Sequence, residues 1–335
     1  MPKPPSLQDV ATRALVSPAT VSRYINGSLT LPADTAGRID AAIAALGYRP
    51  NPHARSLSRG KSDMVGLVIP NIENPFFAQL AAAVETAAAE AGLAVMLCST
   101  FNRLERELDY LARLSHNFVD GLLFATNHPD NGILADKVNS AGNIILIDED
   151  IDDTHAPKIF SDNYQGGLLA GRHLAEMGHT ELAFVGGSGQ IMSTRERARG
   201  LADGASAVNP DARVKAHYFG AYTIPHGQAA MTALLAEHPE VTAAFVSSDE
   251  IMFGALSVMR ERGVVMGRDL SIVTFDDAGP LAFFDPPVTA IRQPIADIGR
   301  QAVQMLIDRL NGEPANPVCA LPVELIVRNS VRRIT

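Results

Sequence analysis

One segment near the N-terminus, LQDVATRALVSPATVSRYINGS, limits the possible folds of this chain more than any other. Ser17 is a suitable N-cap and Pro18 a suitable first helical residue, so a short helix is predicted to begin there. The apolar residues on either side of the turn are expected to pack together: Leu7, Val10 and Ala11 against Val16, Val21 and Ile25. The pattern predicts a helix-turn-helix, which presents its second helix to the major groove of DNA. A small helical core with a polar face is the alternative interpretation, because such patterns are weak alone.

The sequence that follows favours DNA binding. A further helical stretch can close at Gly47, after which Pro50 and Pro52 force an extended segment. Residues 53–59 could then form a helix too short to be stable alone, which we expect to order only when docked. Leu57 is apolar on this basic segment and suits a wedge between base steps in the minor groove. An ordinary basic linker with an exposed leucine is the alternative.

The motifs SPATVSRYIN, LGYRPN and ARSL make the chain similar to the LacI/GalR (lactose/galactose repressor) family of bacterial transcription regulators, and the resemblance continues to the C-terminus. It implies the following DNA-binding residues: Pro18, Ala19 and Arg23 at bases, Ser17, Thr20, Ser22 and Asn26 at phosphates, Ala54 and Leu57 in the minor groove, and Asn51 beside them. Leu15 stands where the family usually has glycine. A left-handed leucine would cost about 1–2 kcal/mol, so the turn is either rearranged or strained.

Charge divides the chain in the same place. Residues 1–62 contain eight Lys/Arg and three Asp/Glu, a net charge of +5, so the rest of a chain of net charge −9 carries −14. A basic N-terminal module on an acidic body fits phosphate contacts confined to one end of the protein.

Length and composition exclude several classes of protein. The 335 residues allow a small module and a body with more than one core. No apolar run reaches transmembrane length and the start lacks a secretory segment, so we expect a cytoplasmic protein without a membrane partner. Cys98 and Cys319 occur without a CxxC motif or a His cluster, so we expect reduced thiols and no metal site.

From Met64 onward, apolar strands alternate with helical stretches near 76–91, 103–117 and 131–141. Buried strands are predicted at MVGLVIP, LAVMLCST, DGLLFAT, NIILID, LAFVGG, VKAHYFG, AAFVSS and LSIVTFD. The pattern predicts two doubly wound α/β lobes that bind a ligand in the cleft between them, at the carboxyl ends of the strands.

The expected fold class is therefore a small all-α helix-turn-helix domain plus an α/β domain of two doubly wound parallel-sheet lobes, which the resemblance implies is periplasmic-binding-protein-like. The resemblance also implies that the chain crosses between lobes near 162, 291 and 322. The expected domains are a DNA-binding domain (1–49), a hinge helix and linker (50–62) and an effector-binding and dimerisation domain (63–335), whose lobe 1 covers about 63–161 and 292–321 and lobe 2 about 162–291 and 322–335.

Polar and aromatic residues follow the predicted strands. Their set is similar to that of ribose-binding proteins and pentose-responsive repressors, which implies that hydroxyls bind Asn74, Asp148, Arg197, Asp276 and Gln293, that Phe76, Phe77 and Tyr222 cover the apolar faces of the sugar, and that Ser248 completes the site. Carboxylates accept hydrogen bonds from hydroxyls and arginine donates them, as a sugar site requires.

Each of these residues also has a structural interpretation. Asp148, Asp276 and Ser248 could cap the helices that follow their strands, Phe76 and Phe77 could be core residues, and Arg197 could pair with Glu196 or Asp203. Taken together, their positions at strand ends favour a ligand cleft. Asp249 is interpreted as the start of a helix.

Two departures bear on the ligand. Glu149 stands where a ribose site tends to have Arg, and Ser248 stands where it tends to have Asn. Asp148, Glu149 and Asp276 against Arg197 leave the cleft acidic, which disfavours phosphorylated or carboxylate ligands. We therefore expect a neutral sugar or polyol.

The expected protein is a homodimeric repressor that binds a pseudo-palindromic DNA operator and responds to this effector without a cofactor. For a sugar effector, induction is favoured over co-repression, although no residue by itself indicates whether the effector weakens or strengthens operator binding. An enzyme is the competing class, but the sequence has no nucleophile elbow, no GxxxxGK[ST] and no metal-ligand spacing. A sugar receptor without a regulatory role is the third class, which the DNA-binding segment disfavours.

Overall fold

The first helices begin where their capping residues place them. In the computed structural model, which describes residues 5–49, 61–114, 118–130, 132–314 and 317–334, Ser6 and Asp9 form a capping box ahead of the first helix. Ser17 Oγ accepts a hydrogen bond of 3.1 Å from the Thr20 N–H, and Pro18 opens the second helix. The N-terminal helices are α1 (Leu7–Ala14), α2 (Pro18–Ile25) and α3 (Ala33–Leu46).

These helices enclose one small core in the head, the unit that ends at Asp63. The fully enclosed members are Val10, Ala11, Ala14, Val21, Ile39 and Ala42, with Leu7, Val16 and Ile25 packed at the edge. The Tyr24 hydroxyl donates to Asp40 Oδ2 at 3.0 Å and so ties α2 to α3. The predicted helix-turn-helix is confirmed.

The turn between α1 and α2 keeps its left-handed geometry despite the leucine. Leu15 has φ 56° and ψ 44°, and its N–H donates to the carbonyls of Ala11 and Thr12. Its side chain is 82% exposed, so it gains nothing from burial. The turn is therefore strained at Leu15 and not rearranged.

The second unit, the body, begins at Met64 and alternates strands with helices. Its strands are β1 (Met64–Ile69), β2 (Ala94–Ser99), β3 (Gly121–Phe124), β4 (Ile144–Ile147), β5 (Lys158–Ser161), β6 (Glu181–Gly186), β7 (Arg213–Phe219), β8 (Ala243–Val246), β9 (Ser271–Phe275), β10 (Thr289–Arg292), β11 (Val318–Leu321) and β12 (Glu324–Ile326). Its helices are α4 (Pro75–Glu90), α5 (Leu104–Leu114), α6 (Ile133–Ser140), α7 (Asn163–Glu176), α8 (Met192–Val208), α9 (Ile224–Glu237), α10 (Asp249–Glu261) and α11 (Ile295–Leu310), and Gly279–Phe283 forms a 3-10 helix.

The strands form two six-stranded sheets. The sheet of lobe 1 has the order β11-β5-β4-β3-β1-β2 and is parallel throughout. The sheet of lobe 2 has the order β12-β10-β9-β8-β6-β7, in which only the β10–β12 pair is antiparallel. The predicted fold class is therefore confirmed.

Helices cover both faces of each sheet, as the nearly continuous apolar strands require. In lobe 1, α4 and α11 pack on the face that carries Val65 and Leu67, and α5 and α6 pack on the face that carries Val68. In lobe 2, α7 and α8 share a core with Phe184, whereas α9 and α10 share one with Val185.

Helices α7 and α8 approach each other unusually closely. A Cβ atom added at Gly167 would lie 2.2 Å from the Arg197 carbonyl oxygen, and one added at Gly200 would lie 2.1 Å from the Tyr164 oxygen. Gly171 and Gly204 are blocked in the same way by the backbone of the facing helix. The backbones of α7 and α8 are therefore in direct contact, which only glycine permits.

The chain passes between the sheets after β5, after β10 and after β11. None of the helices in the described part of the chain combines the length and apolarity that a membrane crossing requires.

Candidate functional site

In the head, the residues expected to meet DNA lie along α2 and its N-terminus. Ser17, Ala19 and Arg23 are exposed, while Thr20 and Ser22 are partly buried. Ser17 also uses its hydroxyl as the N-cap of the helix. Pro18 and Asn26, at the two ends of the helix, are partly buried as well. The expected minor-groove residues Ala54 and Leu57, and Asn51, lie outside the described residues, and so does most of the expected hinge.

In the body, two predicted site residues occupy left-handed backbone positions directly after their strands. Asp148 has φ 71° and Asp276 has φ 76°. Such values are uncommon outside glycine and concentrate at functional sites, where the surrounding structure holds them. The charge of Asp276 contributes to the raised pKa of Asp148, as expected for carboxyl groups at neighbouring strand ends.

Arg197 lies on α8 and is held from three sides. Its Nε donates to Asn163 Oδ1 at 2.8 Å and its Nη1 donates to the Ser247 carbonyl at 2.7 Å. The guanidinium stacks on the Phe275 ring, 3.6 Å from the ring centroid. Arg197 is 4% exposed and faces the interior of the body, so the alternative pairing with Glu196 or Asp203 on the helix surface is wrong.

A chain of hydrogen bonds links the strand ends near the crossings. Gln293 Nε2 donates to Asp276 Oδ1, and Ser161 Oγ donates to Gln293 Oε1 at 2.6 Å. Asp276 and Gln293 are each 5% exposed. Gln293 therefore joins the end of β9 in lobe 2 to the end of β5 in lobe 1.

Asn74 and the two phenylalanines that follow it have mainly local partners. Asn74 Oδ1 caps α4 by accepting from the N–H groups of Phe76 and Phe77, and its Nδ2 donates to Asp249 Oδ1 at 3.0 Å. Phe76 and Phe77 contact each other edge-to-face at 5.0 Å and belong to the core of lobe 1. Phe76 and Phe77 are therefore core residues, as the structural interpretation expected. Contact of either ring with a ligand stays a prediction.

Ser248 and Asp249 begin α10 at the end of β8. Ser248 is the N-cap, and its hydroxyl accepts from the Ile251 N–H at 3.3 Å. Asp249 Oδ1 accepts from Asn74 and from the Glu250 N–H, the latter at 2.8 Å. Asp249 thus connects lobe 2 to Asn74 of lobe 1, a role that its interpretation as a helix start did not include.

Glu149 also bridges the lobes. Its carboxylate accepts hydrogen bonds from the Ser193 N–H at 3.1 and 3.3 Å and from the Ser193 hydroxyl. Tyr222 joins the same group, because its hydroxyl lies 2.9 Å from Thr194 Oγ1. Glu149 is 4% exposed and is already paired within the protein.

Buried acids dominate the electrostatics of this region. Burial raises the pKa of Asp148 to about 7 against the opposing charge of Arg197. Burial, with a contribution from Asp276, raises the pKa of Asp249 to about 8. Burial likewise raises the pKa values of Glu149 and Asp276. A ligand that donates hydrogen bonds would stabilise the ionised forms of these acids, whereas an anionic ligand would raise their pKa values further.

Two carboxylate oxygens in this group, Asp148 Oδ1 and Asp249 Oδ2, are buried without a hydrogen-bond partner in the described part of the chain. A cavity of about 320 Å³ adjoins Asp276 and Gln293 and is also lined by Gln79 and Arg292. A larger groove of about 700 Å³ lies elsewhere on lobe 2, beside Phe253 and Phe284, and is lined by none of the predicted effector residues. The site is therefore defined by its polar groups and not by the larger of these two openings.

Sequence reasoning did not identify Asn163 and Ser193 as members of this group, nor the contact made by Asp249. Asn163 and Ser193 are polar residues in the first turns of helices that follow strands. That position is a usable signal, because helix N-termini in α/β lobes point towards the carboxyl edge of the sheet.

Comparison with known proteins supports this architecture. Residues 6–51 match the family described as bacterial regulatory proteins, lacI family, and residues 172–331 match the periplasmic binding protein-like domain. The HTH-type transcriptional repressor PurR of Mannheimia succiniciproducens is 30% identical over 331 residues, which span 98% of this chain and 99% of that protein. The ribose operon repressor of Halalkalibacterium halodurans is 32% identical, over 98% and 97% of the two chains.

A solved structure is similar over the same length. The lac repressor dimer bound to operator and the anti-inducer ONPF superposes with a TM-score of 0.85 and 26% identity, covering 98% of this chain and 100% of that one. The fold and site thus define a DNA-binding regulator with an effector-binding domain. The chain belongs to the LacI family of bacterial regulatory proteins.

Proposed function

We propose that the protein represses transcription as a cytoplasmic homodimer on a pseudo-palindromic operator, and that a small neutral sugar or polyol bound between its lobes controls operator affinity. The observation that carries the effector proposal is the buried carboxylate oxygens of Asp148 and Asp249 that lack donors in the described residues. Sugar hydroxyls supply such donors without adding negative charge. The similarity to a ribose operon repressor and to an operator-bound lac repressor dimer supports both parts.

The proposed effector residues remain Asn74, Phe76, Phe77, Asp148, Arg197, Tyr222, Ser248, Asp276 and Gln293, and the proposed DNA-contact residues are those named on α2 and the hinge. The division of the strands between the two sheets supports the proposed lobe limits of about 63–161 with 292–321 and 162–291 with 322–335.

Control of operator affinity requires an effector that binds two arrangements of the lobes unequally. Hydrogen bonds between the lobes occur at Asn74–Asp249 and at Glu149–Ser193, beside the proposed effector residues. A ligand that engages Asp148 and Asp276 would therefore act where the lobes already meet. We propose that binding favours the arrangement with lower operator affinity, so that the sugar is an inducer.

The test is release of DNA by defined compounds. Full-length protein is mixed with a labelled genomic fragment that it retards on a gel, and D-ribose, D-xylose, D-glucose and ribitol are titrated in. Ribose 5-phosphate provides the anionic control, and hypoxanthine provides a flat heteroaromatic control with few donors.

We expect one of the neutral compounds to release the fragment while both controls leave it bound. Release by hypoxanthine or by the phosphate alone would refute the sugar proposal. Sugar binding in a thermal-shift assay without any retarded DNA would identify a receptor, and retardation that requires the sugar would identify a co-repressor.

A further inference from the structure

Asp249 is a fully enclosed residue at the contact between the lobes. Its side chain is at the first position of α10, directly after the N-cap Ser248, and it is 0% exposed. A helix start in itself needs no burial of this kind, because the first-turn acids of helices are usually solvated. The enclosure therefore calls for another explanation.

The two oxygens of the Asp249 carboxylate have different environments. Oδ1 accepts from Asn74 Nδ2 at 3.0 Å and from the Glu250 N–H at 2.8 Å. Oδ2 is buried and has no hydrogen-bond partner among the residues the structure describes. Buried polar atoms are normally paired, so an unpaired carboxylate oxygen is costly unless something outside the protein completes it.

Asp249 neighbours two of the proposed effector residues, Asn74 and Asp276. The Asp249 N–H donates towards the Asp276 carboxylate, and the charges of Asp249 and Asp276 act on each other. Asp276 in turn lies in the field of Arg197 and next to Gln293. Of the two residues that begin α10, Ser248 uses its hydroxyl to cap the helix, whereas Asp249 keeps an unpaired acceptor oxygen.

We infer that Asp249 is a specificity-determining residue of the effector site, whose Oδ2 accepts a hydrogen bond from a hydroxyl of the ligand. The inference rests on the proposed function for the identity of the ligand. It requires an effector with a donor at this point. A ligand without a donor there, such as the methyl ether or the deoxy form of the same sugar, would leave Oδ2 unpaired and be rejected.

Asp249→Asn separates this role from a structural one. The amide keeps an oxygen for the bonds from Asn74 and the Glu250 N–H but replaces Oδ2 with an NH2 group, which cannot accept. Glu250→Gln is the matched control. It makes the same change one residue further on, at a carboxylate that accepts from Asn71 Nδ2 at 3.1 Å across the lobes.

The first measurement is the sugar concentration that half-releases the operator from full-length protein. We expect Asp249→Asn to raise it at least about tenfold, because the ligand hydroxyl is left in a buried site without its acceptor, and Glu250→Gln to leave it within about twofold. The concentration of the deoxy or methyl-ether analogue that half-releases the operator should differ far less between wild type and Asp249→Asn. Equal release by the parent sugar from wild type and Asp249→Asn overturns the inference.

The second measurement needs no ligand, so it holds even if the proposed effector class is wrong. The amide cannot ionise, so Asp249→Asn removes the cost of burying or protonating this carboxylate and should raise the melting temperature of the ligand-free full-length protein by about 2 °C or more. A lower melting temperature of Asp249→Asn, like that of Asp249→Ala, would show a purely structural role and overturn the inference. If no sugar acts on wild type but Asp249→Asn is stabilised, the sugar proposal fails, whereas the costly burial of an unpaired Asp249 carboxylate in the ligand-free protein is upheld.

Discussion

The carboxylate of Glu149, at the end of β4 in lobe 1, caps helix α8 of lobe 2 through Ser193. The N-cap of α8 is Ile191, whose side chain makes no capping hydrogen bond. Glu149 supplies the missing acceptor by bonding the Ser193 N–H and hydroxyl. A negative charge at a helix N-terminus is favourable, so the first turn of α8 depends on a residue from the other lobe.

We expect Glu149→Ala to destabilise the ligand-free body by about 1.5–3 kcal/mol, because the Ser193 donors lose a buried charged partner. Glu149→Gln retains an acceptor oxygen without the charge and should lose distinctly less. Thermal or urea unfolding of the three proteins measures the difference. Equal losses for the two variants would show that the contact contributes packing and not a cap.

Strain at Leu15 predicts a stabilising change in the head. Leu15→Gly should stabilise α1 and α2 by about 0.5–1 kcal/mol, since glycine adopts this left-handed conformation freely and the leucine side chain is exposed. Amide hydrogen exchange of these helices in the full-length protein reports the change. Arg13→Gly, in the last turn of α1, is the control and should exchange faster. Faster exchange in Leu15→Gly would mean that Leu15 makes a contact worth more than its strain.

Arg23 provides a test of base recognition. It is exposed on α2, and an arginine that meets a guanine edge discriminates by about 1–3 kcal/mol. Arg23→Ala should therefore weaken binding to the specific site and relax the preference at one position of each half-site. Binding selections on randomised half-sites measure this. An equal loss on specific and random DNA would assign Arg23 to phosphate contact.

Glu107 predicts a pH dependence of stability. It is buried on α5, and burial raises its pKa to about 8 although Thr126 and Thr100 donate to its carboxylate. Because the folded state holds this proton more tightly than the unfolded state, wild-type stability should fall as the pH rises from about 4.5 to about 8.

Glu107→Gln removes that titration. Relative to wild type, it should gain about 1 kcal/mol or more on going from pH 5 to pH 8.5, measured by urea unfolding at each pH. Glu105→Gln changes an exposed carboxylate on the same helix and should follow the wild-type profile over this range. Parallel profiles for Glu107→Gln and wild type would show that Glu107 is ionised throughout.

Much of this fold follows from local signals. Ser17 and Pro18 fix the start of α2, and the long apolar runs predict strands such as β1 and β6. Strands β5, β10, β11 and β12 were not predicted, because each includes exposed or partly buried positions and is defined by its pairing with other strands. Those pairings, and not local propensity, place the crossings between the sheets.

The candidate site divides in the same way. Asp148 and Asp276 could be predicted because they follow strands, and parallel strands bring their ends together. The partners of Asp249 and Glu149 could not, since Asn74 and Ser193 belong to the opposite lobes and are more than 40 residues away in sequence. Contacts of that kind depend on how two finished lobes meet, which no periodicity in a single segment encodes.

The direct backbone contact of α7 and α8 has a consequence for how this protein can diversify. Arg197 and its partner Asn163 lie on these two helices, whose facing glycines allow direct backbone contact and exclude any larger side chain between them. New ligand preferences can therefore be acquired by substitution after β4, β8 and β9 without moving the guanidinium. Directed evolution of effector specificity would accordingly accumulate changes at those three strand ends, while the position of the Arg197 guanidinium stays the same.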